Sequence, residues 1–148
     1  MKTVSVILAN RNDLQMLLVT VLSAVEDLKG IDGEIVLVDN SDAKLKPAVE
    51  SLVAGQVKAG ILRLIHQERP SSAAAMELAA RSAQGEYLFY TDSHTMIGSG
   101  TIQACLDFFE RHAGEPIGFV HAPIQWAHQS PAQRKVAMSV RLNQLGHG

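Results

Sequence analysis

The side chains best suited to chemistry are Asp92 and His94, which flank Ser93 directly after the apolar run Tyr87-Leu88-Phe89-Tyr90-Thr91. Side chains along a strand alternate between faces, so residues two apart point the same way. Asp92 and His94 are therefore expected to project together from a strand's end. A carboxylate oxygen and an imidazole nitrogen suit Mn²⁺ or a similar divalent cation. An ion held there would grip a diphosphate.

Two further polar clusters follow apolar runs in the same manner, Asn10 to Asp13 and Asp39 to Asp42. The elements that must carry them read clearly. Val4–Leu8, Glu34–Val38, Ile61–Ile65, Glu86–Thr91 and Ile117–His121 are short, largely apolar stretches, the first of them β-branched, each read as a strand. Helical spacing of apolar residues predicts a helix from about Leu14 to Lys29, with Asp13 as its cap and Gly30 as its stop. Pro47 opens a short helix reaching about Ala54. Ser71 or Ser72 caps an Ala-rich helix ending at Ser82, and another helix runs from Thr101 to His112. Ser130, Pro131 and Gln133 start a last helix that ends near Leu145.

Strands of continuous apolar character separated by helices predict an α/β fold, a three-layer α/β/α sandwich with a mostly parallel sheet covered on both faces. Ligands of such sheets bind at the carboxyl ends of the strands, where the three polar clusters lie. The 148 residues are read as one domain, residues 1–148.

Composition narrows the function. The net charge is −2, and no basic stripe marks a nucleic-acid partner. A diphosphate would need a local cation or a helix N-terminus. The single cysteine, Cys105, sits in an apolar helical pattern and reads as a small core residue. No secretory signal appears, and no apolar run reaches the ~18 residues of a membrane span, so the cytoplasm is the expected location. A Gly-x-x-x-x-Gly-Lys loop is absent, which argues against a P-loop hydrolase.

The ordered motifs resemble those of family-two glycosyltransferases of the A fold type. Val38-Asp39-Asn40-Ser41 matches the strand end that lies near the base. Ser72-Ala73-Ala74-Ala75, then Gly85-Glu86-Tyr87 leading to Asp92, match the Ala-rich helix and the strand before the metal motif. The motif itself reads Asp92-Ser93-His94 instead of Asp-x-Asp, a form shared with polypeptide N-acetylgalactosaminyltransferases. Of the family's Pro-Thr-Tyr-Asn turn only Asn12 is kept. Arg11 replaces its aromatic, and Met76-Glu77 stands where an Arg-Asn pair is common.

The resemblance implies a nucleotide-diphospho-sugar transferase fold that transfers a sugar to an acceptor whose identity stays open. It places Ala9, Asn10 and Arg11, then Asp39 and Asn40, then Arg69, Asp92 and Ser93 around the nucleotide sugar. Asp92 and His94 would hold Mn²⁺ or Mg²⁺. Asp39 also suits capping of its own turn, Asn12 and Asp13 suit capping of a helix, and Arg11 and Arg69 suit plain exposed charges. His66, His121, His128 and Trp126 are minor candidates for the same surface. The family's acceptor half normally follows the fifth strand, and little beyond one helix follows His121 here. The competing reading is a catalytically inactive domain used for binding or oligomerisation, a homodimer covering apolar surface where that half would pack.

Overall fold

The computed structural model describes residues 2–122. The chain divides into two compact units, Met1–Gln103 and Ala104–Gly148. The first holds four strands, β1 (Lys2–Asn10), β2 (Gly33–Asp39), β3 (Leu62–His66) and β4 (Gly85–Asp92). They alternate with helices α1 (Gln15–Asp27), α2 (Lys46–Lys58) and α3 (Ser72–Ser82), and α4 (Thr101–Arg111) follows. All pairings are parallel, in the order β3-β2-β1-β4.

The core explains why these segments form these elements. Val6, Ile7 and Leu8 of β1 and Ile35 to Val38 of β2 are all fully buried, so continuous apolar runs serve two covered faces. Ile7, Val36 and Val38 pack with Ala75 and Ala79 of α3. By strand alternation Val6, Leu8, Ile35 and Leu37 point to the opposite face, where α1 and α2 adjoin each other. The small residues of α3 let it lie close against the sheet. β4 departs from the expectation of two covered faces. Tyr87, Phe89 and Thr91 are half-buried, whereas Leu88 and Tyr90 on the other face are exposed.

The loops follow local rules. Asp13 Oδ1 accepts from Met16 N–H at 3.0 Å, capping α1 as its side chain suggested. Gly30 takes a left-handed φ of 84° after α1, a backbone state that favours glycine. Pro47 lies in the first turn of α2, and Ser71 Oγ accepts from Ala74 N–H to cap α3.

The N-terminal ends of the strands hold a closed polar knot. Glu34 Oε1 accepts from Ser5 Oγ at 2.8 Å and from Gln84 N–H at 2.7 Å, and its Oε2 accepts from Arg63 Nη2 at 2.9 Å. Ser5 Oγ accepts in turn from Gly85 N–H at 2.8 Å. Burial pushes the Glu34 carboxyl up, but the Gln84 amide, the Ser5 hydroxyl and the Arg63 guanidinium outweigh it and hold the group below its ordinary value. Gly85 has no room for a side chain, because a Cβ there would meet the Ser5 nitrogen and lie 2.6 Å from the Val4 carbonyl carbon.

In the second unit, the α4 residues Cys105, Leu106, Phe108 and Phe109 are half-buried, so Cys105 is not the core residue its pattern suggested. Phe108 stacks against His112 with ring centres 4.5 Å apart. The expected strand at 117–121 is not formed. These residues run without regular structure, Gly118 interrupts the apolar stretch, and Phe119 is 49% exposed. A strand exists only through ladder hydrogen bonds to a neighbour, and none pairs with this segment among the described residues. The expected helix from Pro131, with Trp126 and His128, lies outside the described residues.

Candidate functional site

The ends of β1, β2 and β3 come together as a hydrogen-bonded floor. Register pairs Asn10 with Asp39 and Asp39 with His66. Asp39 is fully buried, and Asn10 is 1% exposed. Asp39 Oδ1 accepts from Asn10 Nδ2 at 2.9 Å and from Ser41 Oγ at 2.6 Å. The Asp39 carbonyl accepts from Gln67 N–H, and the Asn10 carbonyl from Asn40 N–H. Asp39 thus fastens the turn after its own strand, one of the two roles its type allows.

Above this floor Asn12 locks two loops together. Its φ of 60° is left-handed, a state that asparagine tolerates better than most residues. Asn12 N–H donates to Ser41 Oγ at 2.8 Å, and Asn12 Oδ1 accepts from Asp42 N–H at 2.9 Å. Asn12 Nδ2 reaches Asp42 Oδ2 at 3.2 Å. Three bonds therefore over-determine the strained backbone.

Not every acceptor on the floor is used. Among the described residues, the buried side-chain atoms that lack a hydrogen-bond partner are Asn10 Oδ1, Asp39 Oδ2 and Gln67 Oε1. All three belong to the ends of β1, β2 and β3. His66 Nδ1 lies 3.4 Å from Asp39 Oδ2 without forming a hydrogen bond, while His66 Nε2 is 2.9 Å from Glu50 Oε1. Beside the floor opens a cleft of about 310 Å³, lined by Arg11, Asn40, Ser41, Asp42, Ala43, Lys46, Glu68 and Pro70. Asn40 Nδ2 reaches the Arg69 carbonyl at 3.5 Å, so Arg69 meets this cluster through its backbone. The Arg69 side chain is exposed. A larger groove between α2 and β3 is mostly apolar and lies on the outer edge of the sheet.

The end of β4 is built differently. Asp92 pairs in register with Ala9 and is exposed. Alternation puts Ala9 and Asp92 on the α3 side of the sheet and Asn10 and Asp39 on the α1–α2 side, so anything touching both must straddle the strand ends. β4 stops at Asp92. Ser93 and His94 form a turn, with Ser93 buried and His94 exposed. The two-apart rule therefore does not extend to His94, contrary to the strand-end expectation. The chain leaves the sheet there because its following amides bond to α1, Thr95 N–H donating to Thr20 Oγ1 at 3.1 Å.

As a donor set, Asp92 and His94 offer one carboxylate oxygen and one imidazole nitrogen, both open to solvent. No group of three or more His, Cys, Asp or Glu side chains forms a metal cage among the described residues. Two protein donors fit a cation of the kind that takes its remaining ligands from phosphates and water.

A family model described as Glycosyl transferase family 2 matches residues 5–137. The chain belongs to glycosyl transferase family 2. Solved structures agree on the fold. TarS 1-349 of S. aureus is 20% identical with a TM-score of 0.64, over 75% of this chain and 33% of that one. GalNAc-T7, solved with UDP, GalNAc and Mn²⁺, is 23% identical with a TM-score of 0.64, over 74% of this chain and 21% of that one. The mannosyltransferase PcManGT of Pyrobaculum calidifontis, solved with GDP-Man and Mn²⁺, is 21% identical with a TM-score of 0.63, over 73% and 32%. This family 2 chain thus spans about a third or less of the length of these structures. No curated protein sequence matches it.

The structure joins Asn10, Asp39 and Asn40 in one bonded cluster, sets Arg11 on its cleft, and leaves Asp92, Ser93 and His94 at a separate strand end. Ser41, Asn12, Asp42 and Gln67 were not singled out as site residues, and His66 only as a minor candidate. Ser41 stands in the Val-Asp-Asn-Ser match and Asn12 in the kept turn position, so both carried a signal. Gln67 carried none, because the burial of its Oε1 arises only where the strand ends meet. Among the described residues no helix is long and apolar enough to cross a membrane.

Proposed function

We propose that this chain binds a nucleoside-diphosphate sugar across the carboxyl ends of β1, β2 and β4, as the donor-binding part of a glycosyltransferase. The observation that carries the reading is the set of unpartnered buried acceptors, Asn10 Oδ1, Asp39 Oδ2 and Gln67 Oε1, beside a cleft at the strand ends. Leaving such an atom unpaired costs about 1–3 kcal/mol, and the neighbouring Asn40 and Ser41, which line the cleft, are the groups a base N–H or ribose hydroxyl would meet first. Asn40 both donates and accepts, and Arg11 and Lys46 bring positive charge to the cleft. The solved relatives with UDP or with GDP-Man and Mn²⁺ support the same ligand class.

Asp92 and His94 are the residues to hold Mn²⁺ or Mg²⁺ near the diphosphate, with Ala9 and Ser93 as their neighbours. When bound, the ion supplies neutralisation of the charge that gathers on the departing nucleoside diphosphate. The chain's part is to hold the nucleoside on the floor and the diphosphate above β4, which leaves the sugar presented to an acceptor hydroxyl. The acceptor and the base that takes its proton are not assigned to the described residues.

Calorimetry with UDP and with GDP, each with and without Mn²⁺, tests the reading. Binding strengthened by the metal and losing that gain in Asp92→Ala is the expected result. Equal weak heats in every condition overturn it. A second reading, a domain without transfer activity that self-associates, draws on β4, where Leu88 is 39% and Tyr90 54% exposed. Sedimentation equilibrium distinguishes it: a dimer broken by Tyr90→Lys, together with no nucleotide binding, favours that second role.

A further inference from the structure

The segment after Asp92 is tied to a helix rather than to the sheet. Thr95 N–H donates to Thr20 Oγ1 at 3.1 Å and Ile97 N–H donates to Ser23 Oγ at 3.0 Å. Gly100 N–H and Ile102 N–H donate to the two carboxylate oxygens of Asp27, the latter at 2.8 Å. Thr20, Ser23 and Asp27 stand at positions i, i+3 and i+7 of α1, along one face. Thr20 is fully buried and Asp27 8% exposed.

The hydroxyls are oriented before the loop reaches them. Thr20 Oγ1–H donates back to the Met16 carbonyl at 3.1 Å, and Ser23 Oγ–H donates to the Thr20 carbonyl at 2.9 Å. Each hydrogen is committed to the helix, so each oxygen presents only lone pairs to the loop. Asp27 meanwhile takes N–H groups at the start of α4 that have no partner within that helix. The side chains of Ile97 and Ile102 are buried beside these bonds. The result is a ladder of amide tethers along α1 whose first rung is one residue from His94.

We infer that Thr20 and Ser23 are positioning residues for the cation-binding motif: by anchoring the amides of Thr95 and Ile97 they fix the turn that aims His94. Asp92 needs no such help, since its backbone is set by pairing with Ala9. His94 has left the strand, and the chain just after it is anchored to α1. The inference rests on the proposal that Asp92 and His94 take a divalent cation. It adds that half of this donor pair is held by a helix far from it in sequence.

The test measures Mn²⁺ affinity of the full chain in the presence of UDP, by electron paramagnetic resonance of the free ion. Thr20→Val keeps the shape and removes the acceptor, and Thr20→Ser keeps the acceptor. Weakening of Mn²⁺ binding by about 10–100-fold in Thr20→Val, with recovery in Thr20→Ser, is the expected outcome. Metal-free UDP affinity stays the same, and amide exchange at Thr95 and Ile97 quickens. In a His94→Ala background Thr20→Val adds no further loss, because the tether acts through the imidazole. Unchanged Mn²⁺ affinity in Thr20→Val overturns the inference, and so does equal loss of metal-dependent and metal-free binding. Ser23→Ala, at a half-buried position, carries the same comparison if Thr20→Val does not fold. A wild-type chain that takes no Mn²⁺ overturns the metal reading itself, an outcome visible before any variant is made.

Discussion

The two ends of the sheet hold polar clusters of similar make-up and opposite completeness. At the amino ends of the strands, Glu34 uses both oxygens on Ser5, Gln84 and Arg63, and Ser5 also serves Gly85. At the carboxyl ends, Asp39 uses one oxygen on Asn10 and Ser41 and keeps the other unpartnered, as do Asn10 and Gln67. A buried polar group kept for the fold is saturated, because any spare valence costs stability. Spare acceptors gathered at one end lie beside the cleft proposed above for the nucleotide. The tip of β4 is a third case, with Asp92 and His94 both exposed, suited to a partner that brings its own ligands.

Variants ordered by their effect on stability test this contrast. Gly85→Ala forces a Cβ into the β1 backbone and is expected to cost about 3 kcal/mol, measured by urea unfolding. Nucleotide affinity per folded molecule should not change. Glu34→Gln removes charge from three hydrogen bonds and should cost about 2 kcal/mol near neutral pH. Its sign with pH follows from the lowered carboxyl: the stabilisation is present above the unfolded value of roughly 4.3 and is lost as pH falls through the lower folded value. The wild type should therefore lose stability faster than Glu34→Gln as the pH falls from the unfolded value towards the folded one.

Asp39→Asn should behave in the opposite sense. It keeps the shape of the floor, costs about 1 kcal/mol, and weakens UDP binding about tenfold by changing the spare acceptor. If it destabilises as much as Glu34→Gln and leaves UDP affinity intact, the two clusters are equivalent and the contrast fails. Asp92→Ala, on an exposed tip, should alter stability by no more than ~0.5 kcal/mol while abolishing the Mn²⁺-dependent gain in nucleotide affinity. A clear stability loss there would show that Asp92 serves the fold.

Much of this was legible in the residues. Strands at 4–8, 34–38, 61–65 and 86–91 stood out because buried parallel strands need unbroken apolar runs. Asp13, Gly30, Pro47 and Ser71 marked helix ends for reasons of capping and φ. The strand expected at 117–121 failed because pairing is a property of two segments, and an apolar run carries no information about its partner. β4 reads as a buried run but has an open face, for the same reason. On α1 Leu22 shares the helical spacing of the apolar residues, yet it is 48% exposed, while Thr20 and Asp27 are buried. Those polar residues face inward because they satisfy amides of a segment some 75 residues later, a constraint that periodicity does not record.

By itself the sequence determined the four paired strands, the helices between them and the family, and which side chains carry groups suited to a nucleotide or a cation. These depend on local chemistry: φ preference, apolar spacing, and the donors and acceptors each residue carries. Only the tertiary structure decided how those side chains divide. It sealed Asp39 into a floor with one spare oxygen, set Asp92 on the other side of the strand ends, and turned His94 out of the strand onto a loop held by α1. Burial and hydrogen-bond saturation are properties of several chain segments meeting in space, and they exist only once the sheet has brought its ends together.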